Sequence, residues 1–174
     1  TNTRGIEVRG SLASLISIDN GWEKAIAAAL GTLSDAIVVA DLRGAVSALT
    51  YLKSESAGSA DVLIIGSPDV TISQLPAGLT ALSSKVSSSS LGRVLASLLS
   101  GYVAAETLEQ AGEIVVANPT VTAITRDGDI VSQSRARGGS TVKNSLIEIN
   151  AMIKANVLLL LYRSLILIEN NYKI

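Results

Sequence analysis

Two stretches of the sequence repeat one pattern, a short apolar run that passes through a capping residue into a helix. Residues 36–42 read Ala-Ile-Val-Val-Ala-Asp-Leu, and residues 102–108 read Tyr-Val-Ala-Ala-Glu-Thr-Leu. Each stretch begins as a strand, and an acidic or hydroxyl side chain then supplies the oxygen that a helix N-terminus favours. Because predicted strands and helices alternate around both stretches, the repeat predicts a mixed α/β fold of two related lobes.

The first half of the chain is predicted to alternate between strands and helices. Residues 11–18 are β-prone and predict a strand, and Asp19 and Asn20 are N-cap candidates for the helix that follows. That helix is predicted over residues 22–30, where Gly31 is placed to end it. The remaining predicted elements of this lobe are a strand over 37–40, a helix capped by Asp41 and a strand over 62–65.

Residues 67–90 contain Pro68, Pro76, Gly78 and the serine run 87–90, which predicts irregular structure between two halves. The order of elements then begins again, with a helix over 91–99, a strand over 102–105, a helix over 108–116 and a strand over 121–125. We therefore expect a first lobe over residues 1–75, a second lobe over 76–141, and a C-terminal helix over 142–174.

The strongest local signal in the second lobe is the pair Asp127-Gly128, which lies between two β-prone runs. Glycine accepts a positive φ without a Cβ clash, so the pair predicts a tight hairpin within residues 123–134. Further on, Leu146, Ile149, Met152 and Ile153 recur at helical spacing and predict that the chain leaves the domain as a helix.

The absence of two residue types excludes many functions. The 174 residues contain no cysteine and no histidine, so they can form no disulfide, no thiolate or imidazole metal site and no Ser-His-Asp or Cys-His nucleophile. Capping and turns account for the aspartates that could suggest paired carboxylates, which are Asp19, Asp35 and Asp41. We therefore assign no catalytic residue, no metal ligand and no cofactor.

Composition also bears on partners and location. Hydrophobic residues make up 48% of the chain and charged residues only 17%, so some apolar surface is expected to meet another chain. The formal net charge of −1 gives no overall attraction to nucleic acid. The apolar residues 157–168 are interrupted by Arg163 and Ser164 and are short of the ~20 residues that a membrane span needs. With no signal-peptide pattern at residues 1–10, an intracellular location is the default expectation.

An ordered set of short motifs runs through both predicted lobes. Residues 10–16 read Gly-Ser-Leu-Ala-Ser-Leu-Ile, and residues 21–26 read Gly-Trp-Glu-Lys-Ala-Ile, with Ala-Leu-Gly at 29–31 and Ala-Ile-Val-Val at 36–39. Later come Thr-Arg-Asp-Gly-Asp-Ile-Val at 125–131 and the triplet Gly138-Gly139-Ser140. In this order, over residues 5 to 150, they resemble the hinge domain of bacterial SMC (structural maintenance of chromosomes) proteins.

The resemblance implies a function without chemistry in this segment. It implies a two-lobed α/β hinge at the tip of a long coiled coil, which pairs head to tail with a second hinge and closes one end of a ring used in chromosome condensation and segregation. A cytoplasmic, nucleoid-associated location would follow. The ATPase heads of that family lie elsewhere, and the P-loop sequence Gly-x-x-x-x-Gly-Lys-Ser/Thr does not occur here. The chain is therefore expected not to be an enzyme.

Two sets of residues are candidate sites. The resemblance places the dimer interface at Gly128, Gly138 and Gly139, although simple turn chemistry is an alternative role for these glycines. A local basic cluster is the candidate for weak, sequence-independent DNA binding, and it consists of Arg126, Arg135, Arg137 and Lys143. Ordinary solvated charges on a hairpin are its alternative.

Two features of the sequence allow more than one interpretation. The aliphatic residues 157–168 depart from the charged heptads expected of an SMC arm, and a helix that packs on a partner is one reading of them. The alternating pattern alone is also compatible with a small-molecule-binding α/β domain or enzyme.

Overall fold

The computed structural model describes residues 7–66, 72–139 and 147–154. Within them, three small sheets are accompanied by five α-helices and by an exit helix over residues 147–154, which confirms the mixed α/β class. The strands are β1 (Val8–Ser11), β2 (Ser17–Ile18), β3 (Ile37–Val39), β4 (Val62–Ile64), β5 (Val86–Ser87), β6 (Tyr102–Ala105), β7 (Thr122–Thr125), β8 (Ile130–Ser132) and β9 (Arg135–Arg137). The helices are α1 (Leu12–Leu15), α2 (Glu23–Leu30), α3 (Leu42–Ser54), α4 (Gly92–Leu98) and α5 (Leu108–Ala117).

The sequence repeat corresponds to two strand–helix–strand units. β3 and β4 pair in parallel around α3, and β6 and β7 pair in parallel around α5. Both helices begin at a side-chain cap: Asp41 Oδ1 accepts from the Gly44 amide at 2.7 Å, and Thr107 Oγ1 accepts from the Gln110 amide at 3.2 Å. The predicted repeat and both caps are therefore present.

The three sheets extend these units differently. In the first sheet the strand order is β1-β3-β4, with β1 antiparallel to β3. In the third sheet, which we call sheet C, the order is β6-β7-β8-β9, and β8 and β9 add two antiparallel strands beside β7. The second sheet is the pair β2-β5.

The prediction of a strand over residues 11–18 is wrong in its middle. The chain forms strand β1 up to Ser11, then the one-turn helix α1, and only then the two-residue strand β2. The apolar spacing explains this, because Leu12 and Ala13 are buried and lie four and three residues before Ile16, which is also buried, as on one face of a helix.

Helix α2 matches its predicted extent but not its predicted cap. It ends at Gly31, which has a φ of +57°, as the sequence indicated. Neither Asp19 nor Asn20 caps it, since the N-cap residue is Trp22 and no side chain accepts a hydrogen bond there. Instead the Asp19 carbonyl accepts a backbone bond from the Trp22 amide at 3.0 Å and closes a turn before the helix.

One core joins the two halves. It combines buried side chains from the first half, such as Leu12 and Ile26, with Leu91, Leu99 and Ile124 from the second. The pairing of β2 with β5 also connects segments almost seventy residues apart. The expected boundary between residues 75 and 76 falls within residues 72–79, which form neither helix nor strand.

The chain leaves the fold as a helix, as predicted. Residues 147–154 are helical, and Ile147 is buried in the shared core. Lys154 Nζ donates a hydrogen bond to the Ile16 carbonyl at 3.0 Å and ties this helix to the first half. The aliphatic residues 157–168 and the expected coiled-coil arm lie outside the described residues.

Candidate interaction surface

The hairpin that joins β7 to β8 lies against helix α2. Gly128 has a φ of +88°, and a Cβ added to it would be 3.1 Å from the Lys24 carbonyl oxygen and 3.4 Å from Ala28 Cβ. The turn therefore needs glycine both for its backbone conformation and for its close approach to α2. This contact within the chain accounts for Gly128, whose assignment to a dimer interface stays a prediction.

Asp129, the residue after that glycine, connects three backbone segments. Its amide donates to Thr125 Oγ1 at 3.0 Å, and Thr125 Oγ1 donates to Asp129 Oδ2 at 3.0 Å. The other carboxylate oxygen, Oδ1, accepts from the Gly139 amide at 3.2 Å. Thr125 is buried, so the carboxylate links the core strand β7 to the end of β9.

Gly138 and Gly139, the two residues that follow Arg137 at the end of β9, are constrained in different ways. A Cβ on Gly138 would lie 2.3 Å from Asp129 Oδ1, far inside contact distance, and the φ of Gly138 is not in the positive region. Gly139 has a φ of +113°, but a Cβ there would have no atom of the described residues within 4 Å. Both residues are exposed. Their surfaces are thus available to another molecule, and their interface role stays a prediction.

Two of the candidate DNA-binding cations lie together at the edge of sheet C. Arg135 and Arg137 are two residues apart on β9, so their side chains project from the same face of this strand. Both are exposed, and neither has an ion-pair partner among the residues that the structure describes. Lys143, the fourth candidate, lies outside those residues.

Arg126, in contrast, is already engaged within the chain. Its guanidinium forms an ion pair with Glu106 through two hydrogen bonds. Nε donates to Oε2, and the terminal nitrogen Nη2 donates to Oε1 at 3.2 Å. It also stacks 4.9 Å from the ring centre of Trp22, with Lys85 Nζ at 5.3 Å from the same ring. The hydrogen bond from Arg126 lowers the pKa of Glu106, and the same bond raises the pKa of Arg126.

Trp22 is 2% exposed and forms part of the core. The sequence did not predict that Lys85 lies over the Trp22 ring or that Glu106 pairs with Arg126 beside it. The sequence signal for Glu106 was its position after β6: the parallel register pairs Ala105 with Thr125 and so places the next residues, Glu106 and Arg126, side by side.

Apolar side chains remain exposed on α3, on α5 and on the exit helix, and on α5 they are Leu108 and Val116. On α3 they are Leu42, Val46 and Leu49, spaced four and three residues apart along one stripe, with Leu42 67% exposed. On the exit helix they are Ile149, Met152 and Ile153. The sequence composition predicted such surface.

An open groove of about 280 Å³ runs between the α1–β2 segment and the exit helix, and a second hollow of about 550 Å³ is lined by residues that include Arg9 and Ile65. Within the described ranges, no group of three or more acidic, cysteine or histidine residues could hold a metal ion. In the same ranges, no helix has both the length and the apolar character to cross a membrane.

The described residues form two repeated α/β units on a shared core, with an exposed edge strand and a glycine pair beside it. Comparison with known families specifies the class further. Residues 6–115 match the model of the SMC proteins flexible hinge domain, and because this match covers more than half of the chain, the chain belongs to that family. The hairpin β7–β8, strand β9 and the glycine pair follow the matched residues.

Curated relatives extend the similarity toward the C-terminus. The chain is 34% identical over 159 residues to the chromosome partition protein Smc of Mycobacterium tuberculosis, which covers 87% of this chain and 13% of that protein. It is also 34% identical over 149 residues to the protein of the same name from Mycobacterium leprae, with 83% and 12% covered. The chain thus spans about an eighth of the length of these relatives.

Solved structures share the fold. An asymmetric dimer of the Geobacillus stearothermophilus SMC hinge domain superposes with a TM-score of 0.71 at 25% identity, over 87% of this chain and 67% of that one. The Pyrococcus furiosus SMC hinge domain gives a TM-score of 0.63 at 23% identity, over 82% of each chain. The recognition of an SMC hinge from sequence motifs is confirmed.

Proposed function

We propose that this chain is the homodimerisation hinge of a chromosome partition protein and that two copies pair through the edge of sheet C. The observation that carries the proposal is the exposed, glycine-bordered strand β9 in a chain that belongs to the SMC hinge family. Its outer side has no pairing strand among the described residues, and an unpaired edge offers a row of backbone donors and acceptors.

Three further observations support association with a second copy. A related hinge from Geobacillus stearothermophilus was crystallised as a dimer. Gly138 and Gly139 present little side chain beside β9, so another backbone could approach them closely. The low charged fraction and the apolar stripe on α3 leave surface that a partner could cover.

A mass measurement in solution tests this proposal. We expect sedimentation equilibrium to give a dimer near twice 17.9 kDa that persists at low micromolar concentration. Dimerisation should change little between low and moderate salt, because contacts made by backbone and apolar surface are not screened. A monomer at all concentrations would refute the proposal and would favour the alternative of a small-molecule-binding α/β domain or enzyme.

Weak DNA binding is the second part of the proposal. Arg135 and Arg137 present two exposed charges on one face of β9, and phosphate contacts of this kind give affinity without sequence preference. Lys143 remains a candidate by sequence position. Arg126 is a weaker candidate than its sequence position suggested, because Glu106 already balances its charge.

Charge reversal tests the DNA contact. The double variant Arg135→Glu with Arg137→Glu should bind duplexes of any sequence several-fold more weakly, and the salt dependence of binding should become shallower. The matched control is Arg43→Glu with Lys53→Glu on α3, which makes the same change of charge in the other half. Equal loss in both double variants would mean that only net charge matters, and would refute a site on β9.

The third part of the proposal is the wider role of the dimer, which membership of the hinge family supports. We propose that the dimer closes one end of a DNA-entrapping ring in a cytoplasmic, nucleoid-associated protein, with ATP hydrolysis in parts of the protein outside this segment. The proposal also divides the chain into a first lobe over residues 1–75, a second lobe over 76–141 and a C-terminal helix over 142–174.

A further inference from the structure

The segment that carries the glycine pair is held in place by one side chain. Asp129 Oδ1 accepts the Gly139 amide at 3.2 Å, and the space that a Cβ on Gly138 would occupy is filled by the same oxygen. We infer that Asp129 is a positioning residue for dimerisation, whose carboxylate fixes the course of Gly138 and Gly139 beside β9. This inference rests on the proposed function.

The anchor of this carboxylate lies in the core of sheet C. Thr125, at the end of β7, is 2% exposed and donates its hydroxyl to Asp129 Oδ2 at 3.0 Å. The backbone reinforces the link, since the Thr125 amide donates to the Asp129 carbonyl at 2.9 Å. Asp129 therefore transmits the position of a buried strand to an exposed segment ten residues further along the chain.

The need for such an anchor follows from the segment itself. Two consecutive glycines have more backbone freedom than any other residue pair, and among the described residues no atom neighbours Gly139 in the direction of a side chain. Without the bond to Asp129, this segment would have to be ordered at the moment of association, which weakens binding. A charged acceptor suits the task because hydrogen bonds to ionised groups are the stronger ones.

The experiment compares dimer dissociation constants of the chain and its variants by sedimentation at a temperature where all are folded. Asp129→Ala should raise the dissociation constant about tenfold or more, because the bond that orders the Gly139 amide is lost. Asp129→Asn should restore affinity to within about threefold of wild type, because the amide oxygen can still accept the Gly139 amide.

Two matched controls separate positioning from stability and charge. Asp41→Ala removes another carboxylate that accepts a backbone amide, at the cap of α3, and should lower the melting temperature without changing the dissociation constant. Asp127→Ala removes the same charge from the same turn, where none of the described contacts involves its side chain, and should also leave dimerisation unchanged.

The outcomes distinguish the inference from the proposed function. If wild type dimerises and Asp129→Ala dimerises equally well, the positioning role is refuted while the dimer proposal stands. An equal loss of affinity in Asp129→Ala and Asp41→Ala would also overturn it, since general destabilisation would then explain both. A wild-type chain that never dimerises would overturn both ideas together.

Discussion

A methyl group at Gly138 should destabilise the fold through one neighbour, the Asp129 carboxylate. In Gly138→Ala the new Cβ would lie 2.3 Å from Asp129 Oδ1 and 3.1 Å from Cγ, so the carboxylate must rotate away and lose its bond to the Gly139 amide. The backbone itself needs no change, because the φ of Gly138 is not positive.

The size of the effect follows from that lost bond. Hydrogen bonds to charged groups contribute about 1.5–3 kcal/mol, and since Gly139 is exposed we expect the lower end, about 1.5 kcal/mol. In an Asp129→Ala background the carboxylate is absent, and the remaining Cβ of residue 129 would lie 3.3 Å from the new methyl. Gly138→Ala should then cost only about 0.5 kcal/mol, a coupling of about 1 kcal/mol.

The assay is a double-mutant cycle of urea unfolding, with all chains at one protein concentration because dimerisation adds to apparent stability. Gly139→Ala is the matched control. Its φ of +113° predicts a backbone cost of about 1 kcal/mol, and with no atom of the described ranges within 4 Å this cost should be the same with and without Asp129. Equal costs for Gly138→Ala in both backgrounds would refute the reasoning.

Two further predictions concern the ion pair and the repeated caps. Because the bond from Arg126 lowers the pKa of Glu106, this pair should stabilise the fold above the ordinary glutamate pKa of 4.5 and lose that contribution as the pH falls through the lowered value. Glu106→Gln should therefore give a shallower fall of melting temperature on acidification, and an unchanged slope would exclude the pair as a source of acid sensitivity. Asp41→Ala and Thr107→Ala remove equivalent caps and should each cost about 1 kcal/mol in urea unfolding. Neither cap would matter to stability if both variants unfolded at the wild-type urea concentration.

The elements that the sequence predicted well are those specified by neighbouring residues. The strand, cap and helix around Asp41 form a local pattern, and the corresponding pattern around Thr107 allowed each to support the other. The hairpin at Gly128 and the helix end at Gly31 depend on positive φ values that glycine adopts at low cost. Signals of this kind do not require knowledge of the tertiary structure.

The elements that sequence reasoning missed depend on distant partners. β5 is two residues long, too short for any alternation, and it forms because Ser87 pairs with Ser17 of β2 across the fold. Helix α1 was hidden for a related reason, since its single turn lies directly between two strands. The bond between Asp129 and Gly139 likewise depends on β8 and β9 folding back on each other.

The candidate basic cluster shows that sequence position alone also predicts a functional surface incompletely. By position along the chain, Arg126 resembles Arg135 and Arg137, and all three were expected to face solvent as one patch. The register of β6 against β7 distinguishes them, because it sets Glu106 beside Arg126, whereas the two arginines of β9 have no ion-pair partner among the described residues. Charge counting along a sequence cannot make this distinction before the strand order is known.

The two strand–helix–strand units have the same internal arrangement, but different strands flank them. In the first sheet β3 is the central strand and β4 lies at the edge, whereas in sheet C the equivalent of β4, strand β7, is covered by β8 and β9. The two halves of one chain therefore present different edges. In a symmetric dimer, a contact between unlike lobes would form twice, once for each pairing of a first lobe with a second lobe. In the dimer that we propose, the added hairpin of the second lobe supplies an edge that the first lobe lacks.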